Sequence, residues 1–363
     1  MTTPTTRHDG DPAAPGAAPD GAPRVRFRDP QIEMAHGAGG KASRRLLEGL
    51  IAPLLGGVML DPLGDAALLD VDRARLAFTA DGFVVRPLRF PGGSIGELAV
   101  NGTVNDLVVS GARPLALLVT LILEAGVSTE ELEREVRAIA AAAHRAGVAV
   151  VGGDTKVVEH GKADGMYITT AGIGLVDARL HCTPAAVRAG DQILLSGPIG
   201  DHGITILLAR GEVDLEADLC SDTRSVLPLV APMIDAAAPG IRWMRDPTRG
   251  GVASALNELA ADTRLGMLVS EERIPVRDQV RGACELLGLE PLQIANEGQF
   301  VAVVAPEYAD AALVAVRGAP GGGGAAIIGE VRSEPARTVL AESAFGGRRV
   351  LDMLVGDPLP RIC

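Results

Sequence analysis

The thiol of Cys363 closes this sequence behind Asp357-Pro358-Leu359-Pro360-Arg361-Ile362, and upstream of it four carboxylates, Asp65, Asp81, Asp154 and Asp246, stand at turns and element ends, with Asp106 joining them from a helix. A thiol is a nucleophile and a group carrier. Hard carboxylate oxygens brought from several elements suit Mg²⁺, whose remaining positions are filled by water and nucleotide phosphates. One Asp after a strand is commonly a turn former or helix cap; it is the recurrence that points to a metal. Glycine-rich stretches at 37–40, 152–153 and 250–251 would let the backbone approach phosphate oxygens closely. None is a Walker A loop, since Lys41 is followed by Ala42 rather than a hydroxyl residue. Lys156 and Glu297 are each charged and set beside a strand end and a glycine, which suits either a solvated surface group or one that moves a proton.

The elements that must position these groups alternate in type. A short strand over Leu76–Ala80 ends at Asp81, and Ser94 with Glu97 three residues on reads as a capping box opening a helix to Gly111. That helix carries Asn101, Asn105 and Asp106 away from its apolar positions. A strand over Leu115–Leu123 follows, then a helix capped by Ser128 or Thr129 with Leu132, Val136, Ile139 and Ala143 inward. Val148–Val151 reads as a buried strand stopping at Gly152-Gly153-Asp154, and Met166–Val176 as another. After residue 178 the pattern restarts. A strand over Gln192–Ser196 leads through Gly200-Asp201-His202-Gly203 into a helix, Asp201 and His202 capping and ordering it. A strand over Ile241–Met244 ends at Arg245-Asp246, and Asn296-Glu297-Gly298 precedes the strand Phe300–Val304. The expected organisation is an extension over 1–28, α/β domains over 29–178 and 179–340, and a flexible tail over 341–363 held extended by Pro358 and Pro360.

Composition limits the function. A formal charge of −12 argues against non-specific nucleic-acid binding. The longest strongly apolar run, Leu115–Leu123, is strand-sized, so no membrane span is expected. The cysteines at 182, 220, 284 and 363 are scattered, with no C-x-x-C pair, which fits a reducing cytoplasm rather than a disulfide framework. Prenylation requires a cysteine four residues from the end and is excluded.

Taken together the segments resemble a known family. His36-Gly37-x-Gly39-Gly40, Asp81-Gly82-Phe83-Val84, Gly102-Thr103-Val104-Asn105-Asp106, Gly153-Asp154-Thr155-Lys156-Val157-Val158, Arg245-Asp246-x-Thr248-Arg249-Gly250-Gly251, Asn296-Glu297-Gly298 and Pro360-Arg361-Ile362-Cys363 are similar to the motifs of the HypE family of hydrogenase maturation factors. The Asp-rich pieces are shared with the wider aminoimidazole ribonucleotide synthetase superfamily. The resemblance runs from about Ile32 to Cys363 and implies a two-domain PurM-like fold whose N-terminal sheets pair into a barrel across a homodimer. It implies a carbamoyltransferase partner, HypF, that loads Cys363, and ATP-dependent dehydration of that carbamoyl group to a thiocyanate. The cyanide would pass to iron on a HypC–HypD scaffold. Implied catalytic residues are Cys363, Glu297 as first base, Lys156 orienting phosphate or sharing the proton work, and His36 as a second candidate base. Implied nucleotide contacts are Gly37, Gly39, Gly40, Asp81, Asn105, Asp106, Gly153, Asp154, Asp246 and Arg249. Mg²⁺ would sit on Asp65, Asp81, Asp106, Asp154 and Asp246, although the superfamily often carries a paired Asp-Asp where this chain has only Asp65. A thiamine monophosphate kinase-like enzyme and a non-enzymatic maturation adaptor are the alternative functions.

Overall fold

In a computed structural model of the chain, residues 26–37, 40–55, 65–211, 217–354, 359 and 361–363 are described. Most of the extension expected over 1–28, together with Gly39, Pro358 and Pro360, lies outside the described residues. The first domain comprises α1 (Gly40–Leu46), α2 (Ala52–Leu54), β1 (Ala67–Val71), β2 (Ala74–Phe83), β3 (Arg89–Phe90), β4 (Gly93–Ser94), α3 (Ile95–Val109), β5 (Ala112–Glu124), α4 (Thr129–Ala146), β6 (Ala149–Val158) and β7 (Met166–Val176). Its main sheet has the order β1-β2-β7-β5-β6. Every pairing in it is antiparallel except β5 with β6.

Two local expectations change in the structure. The Ser128 hydroxyl caps α4 by accepting from the Glu131 N–H at 3.1 Å, but the box expected at Ser94 and Glu97 does not form. Ser94 makes no side-chain cap bond, and Glu97 instead accepts from Arg145 at 2.6 Å. The entrance of α3 is governed by Glu135 of α4, which is buried and accepts from the Gly96 N–H at 3.0 Å and Arg89 Nε at 2.9 Å. Glu135 therefore faces in, and Val136, expected inward, is 44% exposed. Of the run Val148–Val151, read as a buried strand, Val148 is buried but Ala149–Val151 open the exposed edge strand β6. Helix α3 covers one face of this sheet, while the other leaves Phe78, Leu118 and Val150 in solvent. A short apolar run marks a strand without saying whether anything covers it.

The second domain comprises β8 (Gln192–Leu195), α5 (Asp201–Ala209), α6 (Leu227–Ala237), β9 (Ile241–Arg245), α7 (Gly251–Thr263), β10 (Gly266–Ser270), α8 (Asp278–Leu287), β11 (Val301–Val304), α9 (Pro306–Gly318), β12 (Ala326–Arg332), β13 (Val339–Glu342) and β14 (Arg348–Val350). Its sheet runs β14-β13-β10-β12-β8-β11-β9. Successive side chains of a strand point to opposite faces, and the central strands are apolar on both. Leu194, Ala302 and Val304 join the core under α6 and α9. Ile193, Leu195, Val301 and Val303 join the core under α7. Because β13 and β14 extend this sheet through Val350, the tail does not begin at 341 as expected.

Helix α3 joins the domains. It is apolar on nearly every side and buried on nearly every side, as such a helix must be. Ile95, Leu98, Val104 and Val108 share one core with Val226, Leu229, Ile294 and Phe300 of the second domain. The interface is thus continuous interior, and side chains leaving α3 toward it enter a low-dielectric setting.

The contact between α3 and α4 leaves no room at Gly96, where an added Cβ would lie 2.5 Å from the Glu135 carbonyl oxygen. Gly96→Ala is expected to lower stability by about 1–3 kcal/mol, the usual cost of overpacking. Urea unfolding midpoints of the two proteins check this.

Candidate active site at the domain interface

The expected carboxylates converge from separate elements. Asp65 precedes β1, Asp106 lies on α3, and Asp246 follows β9; one oxygen of each lies within 4.8 Å of the others. Asp81, on β2, accepts from Thr103 Oγ1 at 3.2 Å and shares a hydrogen bond with Asp106, which also accepts from Thr79 Oγ1 at 2.7 Å. Burial holds the Asp106 and Asp246 carboxyls well above the usual carboxylate range, and the neighbouring carboxylates add to it. Burial also raises Asp65 and Asp81, opposed by the guanidinium of Arg245 at the first and by hydrogen bonds and Arg249 at the second. Arg245 bonds Asp65 at 2.9 Å and Glu258 at 3.1 Å.

Glu297 faces this cluster from a turn secured on both sides. The Asn296 side chain donates to the Pro247 carbonyl at 2.9 Å and accepts from the Gly200 N–H at 2.7 Å. The Asp222 carboxylate accepts from the Glu297 and Gly298 N–H groups at 3.0 and 3.2 Å. Gly298 is required because a Cβ there would meet the Asp222 carbonyl oxygen at 1.8 Å. Glu297 is 4% exposed, and its Oε1 has no hydrogen-bond partner among the described residues. Burial raises its pKa well above the usual value, with repulsion from Asp246 and Asp222 second. A carboxylate oxygen with no partner and a raised proton affinity is suited to accept a proton from a ligand or share one with it.

Cys363 is already there. Asp81, Asp106, Asp246, Arg249, Glu297 and Cys363 line a cavity of about 40 Å³. Larger openings of about 410 and 450 Å³ adjoin it; Gly37 and Arg249 border both, and Cys363 borders the second. Arg249 donates to the Gly37 carbonyl at 2.8 Å, and the charge at Cys363 is the first cause holding its guanidinium protonated. The end of the tail is therefore docked rather than free: Ile362 and Leu359 are buried, and Val84 N–H donates to the Cys363 oxygen at 3.0 Å.

Other expected site residues are elsewhere or otherwise engaged. Both ring nitrogens of His36 are used, Nδ1 accepting from the Glu33 N–H at 2.8 Å and Nε2 meeting Asp29 at 2.8 Å, so it is not placed as a base. Asn105 spends its side chain on the second domain, donating to the carbonyls of Arg224 and Glu297 and accepting from Val226 N–H, and so staples the interface. Gly40 is pressed against the Leu354 carbonyl, 2.6 Å from where its Cβ would be. Gly153 serves the pairing of β6 with β5, a Cβ there falling 1.7 Å from the Val119 carbonyl oxygen. Asp154 and Lys156 pair with each other on exposed β6 and line none of these openings. Sequence reasoning missed Thr79, Thr103, Asp222 and Arg245. Arg245, beside Asp246, and Thr103, in the Gly102–Asp106 motif, carried a local signal.

Comparisons with known proteins show the family and the fold. The family described as AIR synthase related protein matches with its N-terminal domain over residues 63–176 and its C-terminal domain over 188–341. Carbamoyl dehydratase HypE of Azotobacter vinelandii is 50% identical over 340 residues, 94% of this chain and 99% of that one. The chain belongs to the carbamoyl dehydratase HypE family. A crystal structure of a HypE–HypF complex superposes with a TM-score of 0.81 at 39% identity, covering 85% of this chain and 99% of the other. A HypE crystallised in complex with ATP gives 0.76 at 44% identity, covering 92% and 100%. The two-domain PurM-like fold is thereby shared with HypE proteins.

The crowded carboxylates set a testable cost. These acids hold their protons to higher pH when folded than when unfolded, so without a cation their contribution to stability declines as pH rises above about 4. Asp106→Asn keeps an acceptor for Thr79 and removes one charge. Urea unfolding is expected to show it more stable than the parent by about 1–2 kcal/mol at pH 8 and little changed at pH 5. Isothermal titration of the same variant with Mg²⁺ and nucleotide is expected to show weakened binding.

Proposed function

We propose that this protein dehydrates a carbamoyl group carried on the Sγ of its own Cys363 to a thiocyanate at the expense of ATP. The protein is a carbamoyl dehydratase of hydrogenase maturation, and the self-modifying reading rests on one observation: the Cys363 end lies in the same small cavity as the Glu297 carboxylate, Arg249 and the carboxylate cluster. A kinase-like or adaptor reading gives Cys363 no reason to be there.

In the proposed reaction the carbamoyl oxygen, a poor leaving group, attacks the γ-phosphorus of ATP and ADP departs. The oxygen then leaves with the phosphate as the N–H protons are lost, giving Cys363-S–C≡N, ADP, phosphate and one proton. Glu297 takes a proton from nitrogen: its Oε1 is unpartnered, and the Asp222-anchored turn holds it in place. Arg249 offers a fixed positive charge beside the thiol end. The carboxylates of Asp65, Asp106 and Asp246, with Asp81 beside them, are hard oxygen donors within mutual reach and fit Mg²⁺. When bound, Mg²⁺ supplies positive charge that offsets the charge developing on the transferred phosphoryl group. ATP would reach the cluster through the openings bordered by Gly37 and Arg249.

The partners follow the same reading. A HypF-type carbamoyltransferase would load Cys363, and a HypC–HypD scaffold would receive the cyanide, both in the cytoplasm. A homodimer with paired N-terminal sheets would cover the bare face carrying Phe78 and Leu118. It is also the arrangement that would bring Lys156 and Asp154 of β6 to a nucleotide. No helix of the described residues is long and apolar enough to cross a membrane.

Glu297→Gln removes the base while keeping size and most hydrogen bonding. With partner, carbamoyl donor, Mg²⁺ and ATP, the C-terminal peptide is expected to stall at the carbamoyl mass, nitrile formation falling by about 10²–10⁴-fold. A variant that reaches the nitrile mass at the parental rate removes Glu297 from the chemistry.

A further inference from the structure

His202 was expected to order the start of α5, yet the N-cap there is Gly200 and no side chain caps the helix. The imidazole is fully buried and lies edge-on to Phe90, ring centroids 5.6 Å apart. Its Nε2 lies 2.7 Å from the Ile362 carbonyl oxygen and its Nδ1 lies 2.8 Å from Ser221 Oγ. A carbonyl can only accept, so Nε2 carries the proton and Nδ1 accepts from the Ser221 hydroxyl. Ser221 Oγ in turn accepts from the Thr223 N–H at 3.1 Å. The direction of this chain of bonds is fixed from end to end. Burial lowers the His202 pKa to about 4, so the ring is neutral at working pH and keeps that tautomer.

The same groove meets the rest of the tail end. The Arg361 carbonyl accepts from Arg210 Nη2 at 2.6 Å and Arg86 N–H at 3.4 Å, and the Cys363 oxygen accepts from Val84 N–H at 3.0 Å. Arg210 also donates to the Arg86 carbonyl at 3.0 Å, tying the groove's two walls. The Arg361 guanidinium reaches back to the Val84 carbonyl and to Asp164. Ile362 is buried in the core, and Leu359 packs over Gly203. Thus each main-chain oxygen from 361 to 363 is met by a donor from the body, and the two side chains before Cys363 are read as well. This is how a C-terminal peptide is captured.

We propose that the groove between Val84–Arg86 and α5 is a recognition site for the tripeptide Arg361-Ile362-Cys363, with His202 and Arg210 as positioning residues that set how long the thiol stays docked. This rests on the function proposed above and adds a division of labour. The openings that Cys363 lines, of about 40 and 450 Å³, have no room for a second protein, so loading by a partner needs the tripeptide out, whereas dehydration needs it in. Loosening the groove therefore acts in opposite directions on the two steps.

The test uses the full-length chain. The native-state alkylation rate of Cys363 by iodoacetamide, followed on the C-terminal peptide by mass spectrometry, reports docking without any catalysis. His202→Leu removes the donor to Ile362, and Arg210→Met, at a partly exposed position that cannot empty the core, removes the donor to Arg361. Each is expected to raise the rate about tenfold, the worth of one buried hydrogen bond. His202→Gln, which restores an N–H donor, is expected to stay within about threefold of the parent. Supplied with partner, carbamoyl donor, Mg²⁺ and ATP, both opened variants are expected to be carbamoylated at least as fast as the parent and converted to the nitrile more slowly. Parental alkylation rates in His202→Leu and Arg210→Met overturn the groove. Faster alkylation with unchanged nitrile formation overturns its positioning role. Predicted alkylation in a parent that never forms the nitrile leaves the groove standing and rejects the proposed function instead.

Discussion

Five buried or half-buried acids, Asp65, Asp81, Asp106, Asp246 and Glu297, crowd one end of the domain interface against two guanidiniums, those of Arg245 and Arg249. Taking like charges out of water together is costly, and proteins tolerate it where a cation or a proton is to be handled. Much of the surrounding structure can be read as what keeps these groups from moving apart. Thr79 and Thr103 fix the first-domain acids, Arg245 fixes Asp65 from behind, and Asp222 and Asn296 fix the turn that carries Glu297.

Helix α3 makes that crowding possible. Packed by apolar side chains on nearly all sides, it carries Asp106 toward the acids and Asn105 into the second domain, where the amide ties Arg224, Val226 and Glu297. A charge at the end of so rigid an element cannot relax into solvent. Activity and stability pull against each other here, as they commonly do at functional sites.

Much of this was legible in the sequence. Apolar runs located β2, β5, β6 and β7 of the first sheet and β8, β9 and β11 of the second but not β1, β10, β12, β13 or β14, and the recurrence of Asp, together with Glu297 and Cys363, pointed to groups that the fold brings to one candidate site. What the string of residues did not show is which face each element would find covered. The apolar run at Val148–Val151 looks the same whether buried or at a bare edge, and from Ala149 on it is the edge, which takes Asp154 and Lys156 out of this chain's own cluster. Asn105 and His36 have the right types for a site, but tertiary partners consume their hydrogen-bonding groups. The docking of Ile362 and Cys363 depends on residues 160 or more positions away, such as His202, for which no local pattern exists. Asp222 was silent for the same reason: its role is to hold two backbone N–H groups of a distant turn.

The central claim is that the carbamoyl oxygen on Cys363 leaves as part of phosphate. It is tested most directly by loading the parent protein from a carbamoyl donor whose carbonyl oxygen is a heavy isotope, adding Mg²⁺ and ATP, and analysing the released phosphate by mass spectrometry. The account predicts that the label appears in inorganic phosphate in step with conversion of the C-terminal peptide to its nitrile. Label recovered in water, with unlabelled phosphate, would contradict it.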